Sequence, residues 1–224
     1  MINKKVFRLR FCTRIMFYIS LSALSGCSSV TPGPLLGLDA SIRQAIFVSP
    51  TKKDPHQAYL SAWQRQGIGW HRLYGVSAVI GRNGLAPAGM KHEGDGKTPS
   101  GEYPLGPAFG YASSINTHLL YRQAGDHDFW VDDMRSLQYN QWVSGTPDAK
   151  SFERMKRADN LYQYGIVIGY NMHPIIPGAG SAIFMHVWRR YDAPTSGCVA
   201  VNQRYLRKIL RWLDQQYQPV IILE

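Results

Sequence analysis

Apolar residues are gathered in short runs of strand length, and a single stretch near the end carries helical spacing instead. Ala45 to Val48 is an apolar run closed by Pro50, Tyr59 to Trp63 reads as a second strand, and Val76 to Ile80 as a third. Gly81 and the Asn83-Gly84 pair punctuate the third, since Asn and Gly both tolerate positive φ in a tight turn. From Leu85 to about Asp159, Gly, Pro, Asp and aromatic residues are mixed, and the stretch reads as mostly loop. Apolar strands resume at Ile166 to Tyr170, Ala182 to Val187 and Cys198 to Val201. A helix follows, with Asn202 as N-cap and Leu206, Ile209, Leu210, Leu213 and Tyr217 on one face. Pro219 ends it, and Val220 to Leu223 reads as a last strand. The pattern predicts one mainly-β domain over residues 41–224, with a helix near its C-terminus and no internal repeat.

The N-terminal segment has a different character. Lys4, Lys5, Arg8, Arg10 and Arg14 precede an apolar run from Ile15 to Leu24 that is too short to span a bilayer, the layout of a signal peptide. The run ends in Leu24-Ser25-Gly26-Cys27, which resembles a bacterial lipobox. That resemblance implies a signal peptide over residues 1–26 and a diacylglyceryl group on Cys27. Residues 27–40, rich in Ser, Thr, Pro and Gly, then read as a flexible tether. Ser28 after the lipidated cysteine is compatible with an outer-membrane lipoprotein facing the periplasm.

Length and composition bound the rest. The chain has 224 residues, of which 45% are hydrophobic and 18% charged, so disorder and collagen-like repetition are excluded. The formal net charge of +10 would suit an anionic partner, but five of the basic residues leave with the signal peptide and halve it to +5. With an envelope destination, nucleic acid drops out as a partner. Three cysteines, Cys12, Cys27 and Cys198, rule out a disulfide scaffold. Without His-Glu-x-x-His or Cys-x-x-Cys, no metal or other cofactor is expected. His118, His127 and the acids Asp126, Asp128, Asp132 and Asp133 read as a solvated polar loop.

Cys12 and Cys27 are accounted for, which leaves Cys198 unpaired. Thr195-Ser196-Gly197-Cys198 places glycine directly before the thiol, where a tight turn exposes backbone N–H groups of the kind that stabilise an oxyanion. His186 lies on the preceding strand, and an imidazole beside the thiol would lower its pKa and make a thiolate near neutral pH. On spacing alone, a satisfied core histidine fits as well as a base. The histidine precedes the cysteine, the reverse of the papain-like order.

The stretch Gly180 to Arg189 followed by Thr195 to Val199 resembles the active-site region of the L,D-transpeptidase (YkuD-type) catalytic domain. Gly94 to Leu105, with Thr98-Pro99-Ser100-Gly101, resembles that family's Thr-Pro-x-Gly segment. The resemblance implies a sandwich-type β fold and a cysteine acyl-enzyme formed on peptidoglycan stem peptides and resolved by an amine to give a cross-link. It makes Cys198 the nucleophile, His186 the base, and Gly197 and Cys198 the oxyanion donors, assisted by Ser196. Three positions depart from the pattern: Ser196 stands where many members have histidine, Val187 where they have glycine, and Ala200 where they have arginine. Arg189 or Arg190 is a candidate to replace that arginine, and Tyr121, Trp130 and Trp142 are candidates to line the cleft. Hydrolysis of the same acyl-enzyme by water, as in a carboxypeptidase or endopeptidase, and non-catalytic binding of peptidoglycan remain as alternatives.

Overall fold

The structure, a computed structural model, describes Met1 and residues 30–224. Cys12, Cys27 and the segment read as a signal peptide lie outside the described residues. The chain runs through α1 (Gly33–Leu36), β1 (Gln44–Pro50), β2 (Gln57–Gln66), β3 (Gly69–Val79), β4 (Leu85–Ala86) and β5 (Thr98–Pro99). There follow β6 (Gly101–Gly110), β7 (Tyr121–Gln123), β8 (Asp128–Val131), β9 (Trp142–Ser144) and β10 (Phe152–Arg154). The last part comprises β11 (Tyr164–Ile168), β12 (Phe184–Val187), β13 (Val199–Val201), α2 (Gln203–Trp212) and β14 (Val220–Leu223).

Nine strands form one sheet in the order β11-β12-β13-β3-β2-β1-β14-β6-β7, and β11 also pairs with β6. That extra pairing bends the sheet back on itself, so its layers belong to a single continuous sheet. The strand that closes it is β6. Its first residues, Gly101 to Pro104, pair with β14, while Leu105 to Gly110 pair with β11 through an irregular register. Residues 85–159 therefore hold a ten-residue strand where the sequence reads as loop. Its two prolines and three glycines mask the pattern, because proline gives up a ladder donor and glycine weakens a strand. The same stretch holds a small three-stranded sheet, β10-β8-β9.

Alternation along the strands sorts side chains between separate cores. Ile46 and Val48 of β1 point into the main core, as do Ile221 and Leu223 of β14, while Ala45, Val220 and Ile222 pack on the opposite face. The main core also takes Leu206, Ile209, Leu210 and Leu213 from the α2 region. Asn202 caps α2 as predicted, its side chain accepting the Arg204 N–H at 2.9 Å. Tyr217 does not continue that face. The backbone turns extended at Leu213, and Tyr217 sits half exposed in a separate 3-10 turn capped by Asp214.

On the opposite face of β1 and β14, Leu35 and Leu38 pack with Trp63 and Trp70. The segment read as a tether is thus docked onto the domain from α1 onward. Leu35 is completely buried. Leu35→Ala is expected to cost about 3 kcal/mol, the usual range for removing a core leucine, read as a lower denaturant midpoint at unchanged slope.

Candidate active site

The site grows out of the pairing of β12 with β13, which is parallel and sets Met185 opposite Val199, His186 opposite Ala200 and Val187 opposite Val201. Strand alternation then sends Met185, Val187, Val199 and Val201 into the main core. Phe184, His186, Cys198 and Ala200 share the other face. Cys198 and His186 become diagonal neighbours, and both line a cavity of about 220 Å³. Its walls also include Glu153, Arg157, Tyr162, Arg189, Ser196 and Ala200.

The turn before Cys198 is held from two sides. Thr195 Oγ1 donates to the Cys198 carbonyl at 2.6 Å and accepts the Gly197 N–H at 3.2 Å. Thr98 Oγ1, fully buried, donates to the Gly197 carbonyl at 2.7 Å and accepts the Gly81 N–H at 2.9 Å. This clamp is what the Thr98-Pro99 segment contributes. It works because the chains approach closely: a Cβ on Gly81 would lie 2.5 Å from the Gly96 carbonyl oxygen, and one on Gly197 3.0 Å from that of Lys97.

Beneath the thiol lies an aromatic cluster of Phe109, Trp130, Tyr162 and Phe184, their rings meeting edge to face. Above it, Ala182 adopts φ +53°, strained for a residue with a Cβ. Its N–H donates to Asn140 Oδ1 at 3.1 Å, and its carbonyl accepts the Cys198 thiol at 3.2 Å. Asn140 is itself buried and fully used: Oδ1 also accepts the Trp130 indole N–H, and Nδ2 donates to the carbonyls of Tyr170 and Asn171. The strained carbonyl that receives the thiol proton is therefore fixed by a side chain from a remote turn.

The protonation states differ from the sequence expectation. The thiol donates to Ala182 and accepts the Phe184 N–H at 3.4 Å, and among the described residues no hydrogen bond joins it to the imidazole. Burial pushes the thiol up to about 12, with the nearby Glu153 carboxyl adding to the rise. Burial likewise pushes His186 down to about 4. His186 Nδ1 lies 2.8 Å from the Val187 carbonyl. A carbonyl only accepts, so Nδ1 carries the proton and Nε2 keeps its lone pair. The resting pair is neutral thiol and neutral imidazole, because burial penalises both charges.

The remaining predicted residues divide. Ser196 lines the cavity, and Arg82 donates to its hydroxyl at 3.4 Å. Arg189 lines it too, bridged to Asp159 at 3.0 Å, whereas Arg190 is turned to Asp192 at 2.7 Å on the exposed surface. Trp130 is buried in the aromatic cluster, and Tyr121 donates to the Ala112 carbonyl at 2.6 Å; neither is among the cavity's lining residues. Of the polar-loop acids, Asp128 accepts from Trp142, Ser144 and Gly125. The residues the sequence reading missed are Glu153, Arg157, Asp159 and Tyr162. Their only signal is a mixture of acids and bases in a loop-like segment, which a solvated loop would carry equally.

The model of the L,D-transpeptidase catalytic domain (YkuD) matches residues 43–222, and the chain belongs to that family. No curated protein matches it. Among solved structures, Bd1075 of Bdellovibrio bacteriovorus is similar at 15% identity with a TM-score of 0.45, over 82% of this chain and 48% of that one. The chain thus spans about half the length of that relative.

Two measurements test the protonation states. Alkylation of Cys198 by iodoacetamide should keep accelerating with pH through pH 9, since a thiol near 12 is mostly protonated throughout that range; a plateau below pH 8 would mean a thiolate stabilised at rest. For His186 the folded pKa of about 4 lies below the unfolded 6.5, so the unfolded chain binds the proton first. Its stabilising effect is whole above pH 6.5 and is lost as pH falls toward 4, a total of about 3 kcal/mol. His186→Gln should flatten that part of the stability–pH curve in denaturant titrations.

Proposed function

We propose that this protein is a cysteine acyltransferase acting on peptidoglycan stem peptides, with Cys198 as nucleophile and His186 as base. The observation that carries this reading is the shared cavity: one face of β12 and β13 presents a thiol and an imidazole with a free Nε2 lone pair, in a member of the L,D-transpeptidase family. Because the resting pair is neutral, proton transfer accompanies attack. The thiol proton passes to Nε2 as sulfur bonds to the stem-peptide carbonyl carbon, and the oxyanion is met by the Cys198 N–H, the Gly197 N–H expected from the sequence being held by Thr195 Oγ1. The C–N bond to the terminal residue breaks, and the imidazolium returns its proton to the leaving amine. A neighbouring stem peptide's amine then attacks the thioester, giving a cross-link and regenerating the thiol.

The thiol must leave Ala182 to react, and substrate entering the cavity is what displaces it. With Cys27 lipidated, the domain would act from the membrane on the wall, its +5 balance suited to both anionic surfaces. Digestion of purified cell-wall material, followed by muropeptide separation, tests the reading. Wild type should accumulate cross-linked dimers and Cys198→Ala none. Trimmed monomers instead of dimers would assign water as the acceptor, and unchanged material with wild type would leave binding without chemistry. A carbapenem should add covalently to wild type and not to Cys198→Ala in intact-protein mass spectra.

A further inference from the structure

Two guanidinium groups line the cavity, those of Arg157 and Arg189. Arg157 enters it from the turn after β10 and is fixed at both ends. Its backbone N–H donates to Tyr111 Oη at 2.9 Å, and Tyr111 donates back to the Arg157 carbonyl at 3.2 Å. Its guanidinium lies 5.0 Å from the centroid of the Tyr162 ring, and Nε and Nη2 donate to the two oxygens of Asp159 at 2.9 and 2.8 Å. Arg189 shares that same carboxylate at 3.0 Å. One ionised acid therefore serves two guanidinium groups. Asp159 is ionised, held down at about 2 chiefly by the Arg157 hydrogen bonds.

Other titratable groups on the cavity wall include Cys198, His186 and Glu153. The thiol and imidazole are neutral. Glu153, with its carboxyl 2.5 Å from the Tyr162 hydroxyl, is pushed by burial toward its protonated form. Opposite His186 stands Ala200, a buried and uncharged methyl. Arg157 thus presents its charge on the cavity wall it shares with Cys198, on a guanidinium whose orientation is set by Asp159 and the Tyr162 ring. Pre-orientation of this kind is what makes an arginine an efficient carboxylate receptor.

We propose that Arg157 is the anion-binding residue of this cavity and that it receives the free α-carboxylate of the residue released from the donor stem peptide. This assignment rests on the stem-peptide reading above and narrows it: donors that end in a carboxylate beside the scissile bond are selected over donors capped or continued at that point. Arg189, more exposed and held only through Asp159, is a secondary contributor.

The test compares two synthetic stem peptides that differ only at the terminus, one a carboxylate and one a carboxamide. Binding is measured by calorimetry in the Cys198→Ala background, where no turnover intervenes. The carboxylate peptide should bind about 10- to 100-fold more tightly, the usual value of a charge-assisted bond. Adding Arg157→Gln should abolish that preference and leave carboxamide binding unchanged. Arg157→Lys, which keeps the charge and loses the fork, should restore part of it. Equal binding of both peptides before Arg157 is changed, or an equal fall for both after, overturns the assignment while leaving the stem-peptide reading intact. If neither peptide binds, the stem-peptide reading fails and this assignment fails with it.

Discussion

The parallel pairing of β12 with β13 is the constraint on which the site depends. Parallel neighbours cannot be joined by a hairpin, so the chain between Val187 and Val199 must leave the sheet, cross over and return in the same direction. That excursion is short. It carries Arg189 outward to Asp159, then brings Thr195, Ser196 and Gly197 back as a turn that ends on Cys198. The return is pinned by Thr98, whose hydroxyl joins the turn to Gly81 at the end of β3. The strand register sets which face the thiol occupies, and the turn sets how far it projects.

Burial then decides the chemistry available at rest. The aromatic floor and the packing that bury the thiol and imidazole also keep both largely from water. Neither charge is stable there, and the thiol settles on the carbonyl of Ala182. The positive charge at the cavity therefore lies on arginine and not on histidine. Since arginine stays charged throughout the accessible pH range, that charge persists where the imidazole is neutral.

The parts legible in the sequence are those written in local pattern. The apolar runs at Ala45, Val76, Ile166, Ala182 and Val220 all lie on strands of the main sheet or lead into them. Helix α2 starts where its Asn202 cap and apolar spacing place it. The Thr195-Ser196-Gly197-Cys198 turn and His186 were recognisable as a pair, and the family membership they suggested holds. What failed was any element whose pattern is broken by its job. Strand β6 carries Pro104, Pro107 and three glycines because it changes partners midway, from β14 to β11, and such a bend erases alternation. Leu35 and Leu38 sit in a Pro- and Gly-rich segment whose composition suggests a tether, yet two tryptophans on a distant strand pair give them a site to dock.

Local sequence thus determined the strand faces, the capped helix and the turn before Cys198, since each follows from spacing within a few residues. Tertiary structure alone decided the rest. Closure of the sheet through β6 and β11, the recruitment of Arg157 and Glu153 to the cavity, and the neutral state of Cys198 and His186 all depend on groups far apart in the chain. A pKa is set by how much water a group has lost and which charges surround it, and neither is written in the residues beside it.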